Sequence, residues 1–256
     1  MYFFLATAGL FYIEDIHFEN PKINILSSLK DGVKNISLFN HYEYAGSSDI
    51  RVGRQDRRPS EGYYNQTYTW SYSGYTNEYS IGIPGEMYDY YKNQTHRSHQ
   101  FDRYALTDRD RVVLNEIGDK FKEMGDERGY SDEENIMNLI SFIQAIPYAL
   151  DSVTTGFEEY PRYPIETLAD GCGDCEDTAI LAAALLYEMG YDVVLLEFPQ
   201  HLALGIAGGE KTMGAYYEYN DTKYFYVETT TIGWKIGEVP DDIDSSIAMI
   251  HPMKKR

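Results

Sequence analysis

Two cysteines, Cys172 and Cys175, are all that 256 residues contain, too few for a disulfide scaffold, so their role is local chemistry. Cys175 follows Gly171-Cys172-Gly173-Asp174 at the expected start of a helix. Unpaired backbone N–H groups and the helix dipole there favour thiolate over thiol. The same N–H groups, that of Cys175 first, can bind the oxyanion formed when sulfur attacks a carbonyl. Neighbouring Asp174, Glu176 and Asp177 act the other way through like charge, so the thiol needs a cationic partner. His201 is the only histidine between Gln100 and Pro240 and opens the apolar run HLALGIA. As general base it would take the thiol proton and return it to a leaving amine. Glu228 ends the run KYFYVE and is the candidate for fixing the imidazole tautomer.

These residues need elements to bring them together. From Cys175 to Met189 the chain reads as a helix, capped by Asp174, closed by Gly190 and almost wholly apolar from Thr178 to Leu186. Strand-like runs come next: DVVLLEF, HLALGIA, GAYYEY and KYFYVET, with Asn220-Asp221 as a turn. Helices precede the sheet, the order of an α+β domain. If HLALGIA, GAYYEY and KYFYVE formed a simple meander, His201 and Glu228 would lie at opposite ends. If HLALGIA pairs directly and antiparallel with KYFYVE, the start of one meets the end of the other; this second arrangement is the expectation.

Upstream, Thr107 or Asp108 can cap a helix through VVLNEIGDKFKEM, and Ser131 with Glu134 makes a capping box for a helix through IMNLISFIQAI, ended by Pro147. The stretch from Asp151 to Gly171, rich in prolines and glycines, reads as a connection without regular structure. Earlier still, Tyr68, Trp70 and Tyr72, then Tyr79, Ile81 and Ile83, alternate with polar residues around a SGYTNE turn, the pattern of a β-hairpin. Cross-strand packing accounts for this aromatic row, with stacking on a ligand as the alternative. His96 and His99 form an H-x-x-H pair with no third ligand nearby, so no metal site is assigned.

Hydrophobic residues make up 43% of the chain and charged residues 25%, the composition of a globular protein. Its formal charge of -19 repels phosphate backbones and argues against a nucleic-acid partner. Residues 14 to 60 are polar and irregular, and Arg51, Arg54, Arg57 and Arg58 near their end read as a solvated linker, with an anion or partner contact, or docking on the chain's own acidic surface, as the alternative. The apolar stretch from Met1 to Ile13 is shorter than the roughly 20 residues that span a bilayer. It reads as a truncated signal or membrane anchor, or as a buried strand. Four Asn-x-Ser/Thr sequons, at Asn35, Asn65, Asn93 and Asn220, lean toward an exported or cell-surface protein.

The stretch YPIETLADGCGDCEDTAILAAALLYEMGYDVVLLEFPQHLALGIAG, followed by YFYVETT, resembles the transglutaminase-like superfamily, in particular its archaeal and bacterial members of cysteine-peptidase type. The likeness covers about residues 105 to 240. It implies a papain-like triad of nucleophile Cys175, base His201 and orienter Glu228. The family more often has Asp at the third position, and glycine where this chain has Cys172. The likeness also implies a papain-like α+β core at residues 105–256 behind an aromatic, partly β extension at 1–104. The expected activity is hydrolysis of an amide bond in a protein or peptide substrate, through a thioacyl-enzyme and without a cofactor. Transamidation onto a lysine amine is the alternative acceptor chemistry. Gln144 and Tyr148, before the motif, are the candidates for a second oxyanion contact. The Cys172-x-x-Cys175 pair leaves open a redox role, or a reversible disulfide that protects Cys175, and a non-catalytic binding domain is the remaining alternative. Oligomeric state is not readable from the sequence.

Overall fold

In the computed structural model the described residues are 62–97, 99–245 and 248–253; the Met1–Ile13 stretch, the Asn35 sequon and the arginine cluster lie outside them. The chain opens with a hairpin of β1 (Tyr63–Tyr72) and β2 (Tyr75–Pro84). Its turn is tighter than SGYTNE. Ser73 and Gly74 alone make the connection, both at positive φ (49° and 82°), and Tyr72 faces Tyr75. Paired positive-φ residues match the twist of the flanking strands. The aromatic row packs inward: Tyr68 lies 5.1 Å from Phe142 and Trp70 5.4 Å from Phe121, ring centre to ring centre. Trp70 Nε1 donates to Asn138 Oδ1 at 3.0 Å, and the Tyr68 hydroxyl to the Leu168 carbonyl at 2.6 Å. Tyr68, Trp70, Ile81 and Ile83 thereby join one apolar cluster with the helices.

Helices α1 (Gly85–Lys92), α2 (Phe101–Ala105), α3 (Arg111–Arg128) and α4 (Asp132–Gln144) come next. The cap of α3 is Asp110, not Thr107 or Asp108; the Thr107 hydroxyl donates to the Asp110 carboxylate instead. The Ser131–Glu134 capping box opens α4. The connection to the next long helix is not irregular: it holds α5 (Asp151–Thr154) and α6 (Pro164–Asp170). Pro164 occupies the first turn of α6, where its missing N–H would be unpaired in any case and its fixed φ suits the helix. Here proline starts a helix, whereas the prolines of this stretch by themselves suggest a loop.

Helix α7 (Cys175–Glu188) is buried from Asp177 to Leu186. It lies against a five-stranded antiparallel sheet of β3 (Val193–Phe198), β4 (His201–Ala207), β5 (Tyr216–Tyr219), β6 (Thr222–Val227) and β7 (Met249–Pro252), in the order β5-β6-β4-β3-β7. Strand β4 pairs directly and antiparallel with β6, Leu204 opposite Val227, so the arrangement is not a meander. The fold is α+β. Leu195, Leu202, Leu204 and Val227 face α7, and Leu196, Ala203, Tyr224 and Tyr226 form a smaller apolar cluster on the other face. Among the described residues, no helix is long and apolar enough to cross a membrane.

Candidate active site

The motif around Cys175 is shaped residue by residue. Gly171 ends α6 in the left-handed region at φ 67°. A Cβ at Gly173 would stand 2.6 Å from the Asp177 Cβ, so only glycine fits there. Gly173 also bonds back to the end of the α4 connection, its N–H to the Pro147 carbonyl at 3.2 Å and its carbonyl to the Ala149 N–H at 2.9 Å. Asp174 caps α7, and Asp177 Oδ2 accepts from the Asp174 N–H at 3.2 Å. Cys175 is thus the first residue of the helix, as its spacing predicts.

Beneath the motif sits Arg162, fully buried. Its guanidinium donates to Asp151 Oδ1 at 2.8 Å, to Asp177 Oδ2, to Asp170 Oδ2 at 3.2 Å and to Thr154 Oγ1 at 2.6 Å, and its backbone N–H to Asp177 Oδ1 at 2.7 Å. Burial pushes the carboxyl of Asp177 up to about 7 and that of Asp151 up to about 6, against the pull of Arg162. Asp151, Asp174 and Asp177 each bring an oxygen within 4.8 Å of the others, the type of donor set that suits a hard cation. Here a guanidinium already answers Asp151 and Asp177.

His201 and Glu228 meet as the pairing of β4 with β6 predicts. His201 Nε2 lies 3.2 Å from Glu228 Oε2. One further step of the register places Glu228 opposite Ala203, two residues from His201 and on the same face of the sheet. Glu228, 2% exposed, is held as a carboxylate: Oε1 accepts from the N–H groups of Thr229 and Thr230 at 3.0 and 2.8 Å and from the Thr230 hydroxyl at 2.5 Å. Burial opposes its charge, but the His201 contact and the Thr230 bonds outweigh that and bring its pKa down to about 2. The buried Tyr226 hydroxyl donates to Oε2 at 2.7 Å. With Nε2 facing Glu228, Nδ1 is the nitrogen left to act as base.

The sulfur of Cys175 is brought to the same strand end but engaged elsewhere. The pairing of β4 with β6 ends at Leu204 and Val227, so the backbone of His201 and Leu202 lies past that ladder. The thiol donates to Glu176 Oε2 at 3.1 Å. Burial first, then the charge and hydrogen bond of Glu176, then Asp174, push its pKa well up, while the Leu202 N–H pulls it down. Thr178 Oγ1 lies 3.0 Å from Thr229 Oγ1, joining the first turn of α7 to the residue after Glu228.

The two oxyanion candidates are placed differently. Gln144 has both amide donors engaged, with the carbonyls of Glu228 at 2.8 Å and Trp234 at 3.1 Å, while its oxygen accepts from the Gly233 N–H at 3.1 Å. It ties α4 to the segment behind Glu228. Tyr148, 41% exposed, lies beside the motif, where burial of its hydroxyl and then Cys175, Asp174 and Glu176 push its phenol up. Cys172 is buried, and the two cysteines are not joined in a disulfide. His96 has Nδ1 3.0 Å from the Pro161 carbonyl and Nε2 3.1 Å from the Tyr91 carbonyl, and it stacks on Tyr160 at 3.9 Å. Both nitrogens are engaged, whereas His99 is exposed. A cavity of about 280 Å³ opens between His99, Phe101, Pro161 and Glu159; burial and then the like charge of Glu176 push the carboxyl of Glu159 up.

Residue spacing points to Cys175, His201 and Glu228 but is silent on Arg162, Gln144 as a tie, and Tyr226. The only signal for Arg162 is a basic residue between prolines in an acidic stretch, and Tyr226 looks like any strand aromatic. Set against known proteins, the sequence matches no family model and no curated protein.

Proposed function

We propose that this chain is a cysteine-dependent amide hydrolase of papain-like, transglutaminase-like type, acting on a protein or peptide through a thioacyl-enzyme. The observation that carries the reading is the His201–Glu228 contact of 3.2 Å at the end of the strand whose next N–H, that of Leu202, faces the Cys175 sulfur. In the reaction the thiol proton passes to His201 Nδ1 and sulfur attacks the amide carbon. The C–N bond breaks as imidazolium protonates the amine, and water then hydrolyses the thioester with His201 again as base. The Cys175 N–H, at a helix start, is the first oxyanion donor. Gln144 is a positioning residue, because its donors are engaged, and Tyr148 is the remaining candidate for the second contact. The cavity beside Glu159 offers room for a side chain flanking the scissile amide. An extracellular or cell-surface setting belongs to the same proposal; Asn65, Asn93 and Asn220 are all exposed.

A second reading, a non-catalytic binding domain, is favoured by the thiol's bond to Glu176, which keeps it protonated. The pH profile of Cys175 alkylation by iodoacetamide separates the two, in wild type, Cys172→Ala and His201→Ala. Hydrolase chemistry predicts a midpoint that moves toward that of an ordinary thiol, about 8.5, when His201 is lost. It also predicts cleavage of a denatured protein substrate that vanishes in Cys175→Ala. A profile indifferent to His201, with no turnover, favours the binding domain; a profile sensitive to Cys172 alone favours a redox pair. Incorporation of a fluorescent primary amine into protein glutamines would redirect the assignment to transamidation.

A further inference from the structure

We propose that Tyr226 is a positioning residue that sets how strongly Glu228 holds His201, by competing with it for one oxygen of that carboxylate; the inference rests on the triad of the proposed hydrolase. Three bonds saturate Glu228 Oε1, those from Thr229 and Thr230. Oε2 alone is shared, between the Tyr226 hydroxyl at 2.7 Å and His201 Nε2 at 3.2 Å. The hydroxyl is itself 3.4 Å from that nitrogen, so the three groups form a closed triangle. A short O–H···O⁻ bond is charge-assisted and strong. It draws carboxylate charge toward the phenol and leaves the imidazole the longer bond.

Packing holds the triangle in place. Tyr226 is fully buried, and the Phe198 ring lies 5.8 Å from Tyr226 and 6.5 Å from His201. The titratable groups acting on Tyr226 besides Glu228 are Tyr217 on β5 and Asp242 beyond β6; at the start of α7, Cys175 meets the Leu202 N–H next to His201 and has Glu176 and Asp174 beside it. Burial and then Glu228 push the phenol of Tyr226 up, so it remains a donor wherever the enzyme works. Without it the whole of Oε2 would face His201, imidazolium would be better held, and the thiolate–imidazolium pair would form at lower pH.

The test is the alkylation profile of Cys175 in the full chain, read by peptide mapping in a Cys172→Ala background. In Tyr226→Phe the midpoint falls by about half to one unit, which raises the rate at neutral pH about three-fold to ten-fold. A fluorinated tyrosine at position 226 alone, a stronger donor of the same shape, moves the midpoint upward; it serves as the second arm should Tyr226→Phe not fold. Tyr217→Phe, which removes a buried hydroxyl bonded to the Ser245 carbonyl, leaves the midpoint in place. An unchanged midpoint in Tyr226→Phe, or the same shift in Tyr217→Phe, overturns the inference. If His201→Ala moves the profile while the two replacements at 226 do not, only this inference fails. If His201→Ala moves nothing, the triad reading fails first.

Discussion

Cys175 has two competing neighbours, and its reactivity depends on which holds its hydrogen. Glu176 takes it in this structure, at 3.1 Å, and after burial is the largest cause of the raised pKa. Glu176→Gln removes the charge and keeps the side-chain length. It should speed alkylation of Cys175 at neutral pH by about ten-fold, one unit of midpoint. An unchanged rate would mean that burial alone keeps the thiol protonated. The like charge of Glu176 is legible from its place next to the cysteine, and so are the roles offered to His201 and Glu228 at strand ends. The duty of Gln144 is not. Its position on α4 suggests a donor pointing at the site, but amide orientation depends on backbone groups of Gly233 and Trp234, about ninety residues away in the chain.

Among the elements, the connection between α4 and α7 departs furthest from its expectation. Its prolines and glycines predict a loop, yet its core is a buried guanidinium that joins α5, α6 and the first turn of α7. Breaking a buried pair by removing one partner leaves unpaired charge in the interior, at a cost of about 3 to 5 kcal/mol. Arg162→Ala should therefore lower the unfolding free energy by that amount in urea melts. Arg162→Lys should not restore it, since an ammonium cannot reproduce the fork that spans Asp151, Asp170 and Asp177. Rescue by lysine would show that a point charge suffices. The sheet, by contrast, matches its expectation, because alternation along HLALGIA and KYFYVE leaves one register that puts Leu204 and Val227 on the helix face.

At the scale of the molecule, acids outnumber bases, and among the described residues they make up most of the buried charged groups. Burial holds protons on Asp151 up to about 6, Asp177 up to about 7 and Asp174 up to about 10, all of which an unfolded chain releases near 3.8. The folded form binds more protons throughout that window, so its stability falls as pH rises from about 4 through 7. Glu228 acts in the opposite sense. Its folded pKa of about 2 lies below the ordinary 4.5, so its contribution is present above 4.5 and lost as pH falls toward 2. The formal charge of -19 adds repulsion in the alkaline direction. Thermal melts should give the highest Tm near pH 4, with a decline toward pH 8 that is partly reversed by salt. A Tm that rises from pH 5 to pH 8 would mean the buried aspartates are ionised throughout.

Local physics accounts for much of this protein without reference to the rest of the chain. The helix that starts at Cys175, the strands that start at His201 and end near Glu228, the hairpin of alternating aromatics and the Ser131–Glu134 box all follow from periodicity and capping within short windows. The folded chain was needed for everything that depends on distant partners. The guanidinium of Arg162 meets Asp151 and Asp177 only when two short helices pack on α7. Tyr226 shares an oxygen of Glu228 with His201 only because β4 and β6 are neighbours. A side chain's choice among acceptors is decided by which ones folding brings within about 3 Å, and spacing along the chain carries no record of that.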